Sequence, residues 1–317
     1  MSHHWANIRE AGALNGMRVM VWIYLFLGRT VFNVILVPVM AYFFVRRGEA
    51  RRASMEFLHR VKKCYPENLH GRSMTWLSFL HFLSFGQSLL DKYISWSQKP
   101  IDIEMDPDEE KLLFELVASG RGCLIIGSHF GNLEYSRGIS VRHPDLVINV
   151  LMYDQHAAKF STLLEDAGSG SRMNLIQVTD IDISLAFTLK EKVQRGEWVV
   201  IAGDRVPVGD GGRVCSVRFF GEKADFPVGP YVLANLLHCP VYLFHCYLDQ
   251  DEYHVGVEFF EEEIRSTSKH RQQTYEKTAQ KFAEALEKQV ARFPLQWFNF
   301  FDFWHDRDSQ DIQPKRL

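Results

Sequence analysis

Between residues 109 and 258 the chain repeatedly changes period, from the 3.6-residue apolar spacing of helices to short runs of aliphatic and aromatic residues. EEKLLFELVASG predicts a helix ending at Gly120, and CLIIGS a short buried strand. LVINVLMY predicts a second strand, followed by a helix over Ala157–Ala167. LAFTLKEKVQRG predicts a helix stopped at Gly196, and WVVIAGD the strand after it. VCSVRFFG, PVYLFHCYL and HVGVEFF predict three more strands, with Lys269–Phe293 as a closing amphipathic helix. Parallel strands need long crossovers, usually helical, which cover the faces of the sheet. The expected fold class is therefore α/β, a mixed central sheet flanked by helices.

A different kind of segment stands in front of this unit. Met17–Val45 is almost wholly apolar, broken by Arg29, Asn33 and Pro38, and the cluster Arg46, Arg47, Arg51 and Arg52 follows. A membrane span takes about 20 mainly apolar residues. Neither half reaches that length, and together they do so only by burying Arg29. An apolar run bordered by arginines suits anionic cytoplasmic headgroups, so residues 1–50 are expected to associate with a membrane. No small-residue cleavage pattern follows, which argues against a signal peptide. Residues 51–108 read as a helical region closed by a linker with Pro100 and Pro107, and residues 109–317 as the main domain.

Composition narrows the function classes. A net charge of -3 over 317 residues argues against nucleic-acid binding, which needs concentrated positive charge. The five cysteines contain no CxxC pair, so neither a disulfide framework nor a zinc site is expected. His238, His245, His254 and His270 lack metal-ligand spacing. No metal or other cofactor is implied.

The chemistry is expected at GSHFGNLE, Gly127–Glu134. On a continuous helix, His129 and Glu134 would point about 140° apart by the 3.6-residue period. With His129 in a loop after the strand, and Glu134 in the first turn of a helix starting near Asn132, the ring can fold back onto the carboxylate. One imidazole nitrogen would then be fixed and the other left free as a base. Backbone amides from Gly131 to Leu133 are the expected oxyanion donors. Taken alone, a His and a Glu at this spacing more often form a satisfied helix start than a catalytic pair. Asp204 and Arg205 end a strand, placed either to orient a substrate or to brace the loop as an ion pair. Tyr153, Asp154 and His156 also follow a strand, placed either to line the pocket or to enter a helix, whereas Asp210-Gly211 reads as a turn.

Further segments accompany the dyad in a fixed order. IAGDRVPVGDGGRVCSVRFFG brings an aspartate loop and a strand ending in Phe-Gly; EKADFPVGPYVLANLLHCPVYLF brings a Pro-x-Gly-Pro turn; FPLQWFNFFDFW, Phe293–Trp304, brings a Pro-x-Gln-Trp segment. With H-x4-E at His129 and Glu134, these resemble the lysophospholipid acyltransferase superfamily and, within it, the late (lauroyl and myristoyl) acyltransferases of lipid A biosynthesis. The resemblance runs from about Leu112 to Trp304. It implies the glycerolipid acyltransferase-like fold, with His129 as general base, Glu134 as its partner, and Asp204, Arg205, Gly131, Asn132, Pro227 and Gly229 around the substrate. The implied donor is acyl carrier protein or acyl-coenzyme A, with Arg137, Arg172, Arg205 and Arg213 as candidate carrier contacts. The implied acceptor is a hydroxyl or amine of a membrane glycolipid or lysolipid, at the cytoplasmic face of the bacterial inner membrane.

Two features depart from the lipid A pattern. Arg205 follows Asp204 where glutamine is usual, and Asn299, Asp302 and Asp306 stand where basic residues commonly follow the tryptophan. In this the chain looks more like predicted acyltransferases of polyene and other non-lipid-A lipid pathways. The alternatives are a hydrolase with the same dyad and a catalytically silent lipid-binding scaffold. The missing G-x-S-x-G elbow weighs against the first, and retention of both His129 and Glu134 against the second.

Overall fold

The computed structural model describes residues 13–69, 71–97, 103–136, 139, 142–143, 145–152, 173–178, 183–206 and 213–304. Tyr153, Asp154, His156, the helix expected over Ala157–Ala167, the turn at Asp210-Gly211, and Arg137, Arg172 and Asp306 lie outside them.

Three helices lead the chain: α1 (Ala13–Arg46), α2 (Gly48–Cys64) and α3 (Met74–Ser97). The break in α1 falls at Gly28 (φ 80°, ψ 174°), and Pro38 stays within the helix. Each half is thus shorter than a full span, although Val19–Arg46 as a whole is long and apolar enough to cross a membrane. One face buries Phe32, Leu36 and Met40 against α3, and the rest is open: Trp22, Leu25, Phe26, Leu27, Val34, Tyr42 and Val45 are all more than half exposed. Arg51 donates to the carbonyl of Phe44 at 2.8 Å, closing the helix end with a cation as the backbone dipole favours. Arg29 is held at 2.9 Å by Asp91 of α3, and the hydroxyl of Tyr253 donates to the same carboxylate at 2.8 Å.

The main body then runs β1 (Ile103–Glu104), α4 (Pro107–Ala118), β2 (Cys123–Gly127), β3 (Ile148–Met152), β4 (Met173–Gln177), α5 (Ile183–Gln194), β5 (Trp198–Ala202), β6 (Val214–Phe219), β7 (Glu222–Pro227), α6 (Gly229–Leu237), β8 (Val241–Asp249), β9 (Glu252–Glu261) and α7 (Arg271–Arg292). Seven strands form one sheet in the order β1-β9-β8-β2-β5-β3-β4, parallel except at β8–β9. The chain therefore has the expected mixed α/β fold. Central β2 is buried along its whole length, as its uniformly apolar sequence requires.

Three strands are absent from the sequence reading. β1 is only two residues long. β4 is an edge strand, half exposed and mixed in polarity. β7 carries the charged sequence EKADFP, and its register comes from the hairpin with β6. That hairpin turns through Phe220 (φ 50°) and Gly221 (φ 76°), both left-handed as a two-residue turn matching the strand twist requires. The Phe-Gly pair of the sequence is this turn. Phe220 is buried at 1% exposure, so the strained residue also anchors the hairpin in the core.

Candidate active site

The site is built at the carboxyl ends of β2 and β5. Their parallel register sets Gly127 opposite Ala202, and the amide of Gly203 donates to the Gly127 carbonyl at 2.8 Å. Two residues further along each strand come His129 and Asp204. Nδ1 of His129 lies 2.8 Å from Oδ1 of Asp204, and the His129 amide donates to Oδ2 at 2.9 Å.

The ring is therefore held by Asp204, and this corrects the expected geometry. Glu134 sits in a short 3-10 turn, Leu133–Ser136, with its carboxylate 3.8 Å from Nζ of Lys92. Sequence spacing alone favoured Glu134; the strand register delivers Asp204 from 75 residues away.

Asp204 is fully buried. Burial disfavours its charge, but the facing imidazole, the hydrogen bonds from His129 and the Arg205 guanidinium prevail and hold its carboxyl down at about 2. Two tail residues add donors to Oδ2: the Trp297 indole at 3.0 Å and the Asn299 amide at 3.0 Å. An ionised carboxylate only accepts, so the proton between the two groups sits on Nδ1. Nε2 is then the basic nitrogen, with no hydrogen bond among the described residues. Burial lowers the affinity of the ring for a second proton, Arg205 and Lys92 lower it further, and Asp204 works against both. His129 is therefore neutral at neutral pH.

The loop carrying His129 is fixed to the tail segment. The amide of Phe298 donates to the His129 carbonyl at 2.9 Å and that of Gly131 to the Gln296 carbonyl at 2.7 Å. Gln296 pairs both side-chain amide atoms with the backbone of Leu248, accepting from its N–H at 2.9 Å and donating to its carbonyl at 2.7 Å. At Gly131 the backbone is left-handed (φ 66°), and a Cβ there would lie 1.7 Å from the Cys246 carbonyl oxygen. Only glycine fits.

Other candidates meet different fates. The Gly131 amide is taken by Gln296, and that of Asn132 by the Cys246 carbonyl at 2.8 Å. These two of the expected oxyanion donors are therefore occupied. Pro227 and Gly229 shape the turn from β7 into α6, and no hydrogen bond among the described residues joins them to His129. Arg205 directs Nε to Asn299 Oδ1 at 2.6 Å and a second nitrogen to the Phe298 carbonyl at 2.7 Å. Asn299 thus bridges Asp204 and Arg205. The arginine after the aspartate and the asparagine after the tryptophan, each unusual alone, are one network around the His129–Asp204 pair.

Asn299 stands out in the sequence only as a departure, and Gln296 and Trp297 only as part of a segment; none of the three carries a sign there of contact with the His129 loop or with Asp204. The signal available was an indole and two amides crowded into an otherwise apolar run. Among the described residues no group of His, Cys, Asp and Glu forms a metal-binding cluster.

The sequence model of the family described as bacterial lipid A biosynthesis acyltransferase matches residues 81–306. Among curated proteins none matches the chain. The matched range holds His129, Asp204 and the whole tail segment, and begins at His81 on α3.

Proposed function

The chain belongs to the bacterial lipid A biosynthesis acyltransferases, and on that premise we propose that it moves a fatty acyl group from an acyl thioester to a hydroxyl or amine of a membrane glycolipid or lysolipid. Acyltransferase activity follows from the family. The observation that carries the finer reading is the His129–Asp204 pair, with Nε2 left basic.

In this reading Nε2 of His129 takes the proton of the acceptor O–H or N–H while the acceptor atom attacks the thioester carbonyl. The new C–O or C–N bond forms and the C–S bond breaks. The thiolate leaves and takes back the proton from the imidazolium. Asp204 holds the ring and stabilises the imidazolium without being protonated, as in other carboxylate-supported histidine bases. Glu134, beside Lys92, is assigned to the mouth of the site rather than to the ring. Acyl carrier protein is the preferred donor over acyl-coenzyme A. Of the proposed carrier contacts, Arg213 is exposed, whereas Arg205 is committed to Asn299 and Phe298.

The same reading puts the enzyme on the cytoplasmic face of the bacterial inner membrane. Residues 1–50 are the membrane-associating segment, 51–108 a helical region and linker, and 109–317 the acyltransferase domain. The exposed apolar faces of α1, followed by arginines, support this.

The test is turnover. Full-length protein in detergent is given the same acyl chain on acyl carrier protein and on coenzyme A, with a bacterial membrane lipid extract, and products are read by mass spectrometry. An acylated lipid lost in His129→Ala is expected. Release of free fatty acid with no acylated lipid would make it a hydrolase, and no turnover of either thioester would leave a scaffold.

A further inference from the structure

Behind the tail segment lies a second histidine that the chemistry above does not use. His81 of α3 is fully buried, and burial holds its protonation down at about 3, so the ring is neutral at any physiological pH. Its Nε2 is 3.0 Å from the Trp297 carbonyl and its Nδ1 is 3.0 Å from the Ser54 hydroxyl of α2. The Ser78 hydroxyl donates to Ser54 Oγ at 2.9 Å.

The directions of these bonds are forced. A carbonyl only accepts, so Nε2 carries the ring proton and Nδ1 accepts from Ser54. The chain runs one way, from Ser78 through Ser54 and His81 to the Trp297 carbonyl. That carbonyl also accepts from the backbone N–H of Asn299 at 3.0 Å, so both its lone pairs are used. It lies between the two side chains that donate to Asp204 Oδ2, the Trp297 indole and the Asn299 amide. Fixing it fixes the backbone from which both donors are aimed.

We propose that His81 is a positioning residue for the catalytic base, its Nε2–H pinning the Trp297 carbonyl so that the indole and the Asn299 amide stay on Asp204 and set the basicity of His129. The inference rests on the His129 reading above. Its physical content is charge sharing. A carboxylate whose oxygen already accepts several hydrogen bonds pulls less on the imidazole proton. Loss of those donors strengthens the pull of Asp204, favours imidazolium and raises the His129 titration midpoint. The other charged groups facing His129 are Arg205 beyond β5 and Lys92 on α3 with Glu134 beside it, and none of them touches His81. Packing alone would give a different outcome, because the ring stacks on Phe300 at 4.4 Å and on Phe298 at 6.1 Å. An apolar ring would satisfy those contacts.

The experiment compares His81→Phe, which keeps a stacking ring without the donor, with His81→Gln, whose amide nitrogen can stand where Nε2 does. The His129 midpoint is read by NMR of the histidine Cε1–H signals on full-length protein in detergent, with His129→Ala for assignment. His81→Phe is expected to raise the midpoint by about one pH unit, the effect of one hydrogen bond to a charged group, and to carry the acid limb of kcat/KM to higher pH with it. His81→Gln should leave the midpoint unchanged. Should His81→Phe fail to fold, His81→Asn, too short to reach the carbonyl, must raise the midpoint in its place. An unchanged midpoint in the donor-less variant, or an equal rise in His81→Gln, overturns the proposal. The midpoint is measured without turnover, so a chain that transfers no acyl group would still answer this question separately.

Discussion

His129 and Asp204 each stand two residues beyond one register pair, Gly127 opposite Ala202 on adjacent parallel strands, and their side chains meet at 2.8 Å. The geometry of the pair is thus a property of the sheet. Strand pairing fixes the separation, and the tail residues Trp297 and Asn299 fix the carboxylate.

Asp204→Asn is expected to cost more activity than Glu134→Gln. Asparagine can keep the contact but not the charge, and it permits the tautomer that puts the proton on the wrong nitrogen. A general base contributes about 10²- to 10⁴-fold, and most of that should go with Asp204. Side-by-side kcat/KM values decide it. A silent Asp204→Asn beside an inactive Glu134→Gln would return the orienting role to Glu134.

The pH profile of kcat/KM follows from the direction of the His129 shift. Burial, then Arg205, lower its affinity for a proton below the ordinary 6.5. In the proposed mechanism the reactive form is the neutral one, so the rate should be level at neutral pH and fall only as pH drops below that value. Arg205→Gln removes one lowering influence while keeping a donor for Asn299. The acid limb should then move to higher pH, and a limb that stays put or moves down would refute the electrostatic account.

Much of the fold was readable because its signal is local. β2, β5, β8 and α7 follow from apolar runs and helical periodicity, and each falls within a few residues of its predicted place. β4 and β7 were missed because an edge strand and a charged hairpin draw their register from neighbours. The site shows the same division. His129 was legible as a strand-end histidine, but its partner was assigned by nearness in sequence. Asp204 is legible as a strand-end residue, expected at the substrate or in a loop ion pair, but its contact with His129 is not, since parallel pairing across 75 positions leaves no trace in spacing. His81 shows no sign of a role in the sequence, because its environment comes from three separate segments.

Gly131→Ala should destabilise the site region without touching any reacting atom. The left-handed backbone alone costs a non-glycine residue about 1–2 kcal/mol. A Cβ 1.7 Å from the Cys246 carbonyl oxygen must in addition push β8 away from the loop. Lower thermal stability, with loss of activity, is expected by calorimetry and assay. A variant of wild-type stability and rate would mean that this loop relaxes freely.

The last prediction concerns the joint between α1 and the body. Asp91 is 1% exposed and Arg29 is 46% exposed, so removing the arginine strands a buried charge that water cannot reach. Burial already raises the Asp91 pKa, and Arg29 and the Tyr253 hydroxyl oppose the rise. Deleting residues 1–50 should therefore do two separable things. It should release protein from membranes, because the exposed apolar faces go with the segment. It should also destabilise what remains, since breaking one side of a buried pair costs about 3–5 kcal/mol and a half-exposed partner less. Asp91→Asn in the truncated chain removes the stranded charge while leaving an acceptor for Tyr253, so it should recover part of the lost stability in denaturant titrations. The same substitution in the full-length chain should destabilise, because Arg29 then loses its counter-ion. If Asp91→Asn has the same effect in both backgrounds, the ion pair is not what couples the apolar helix to the catalytic body.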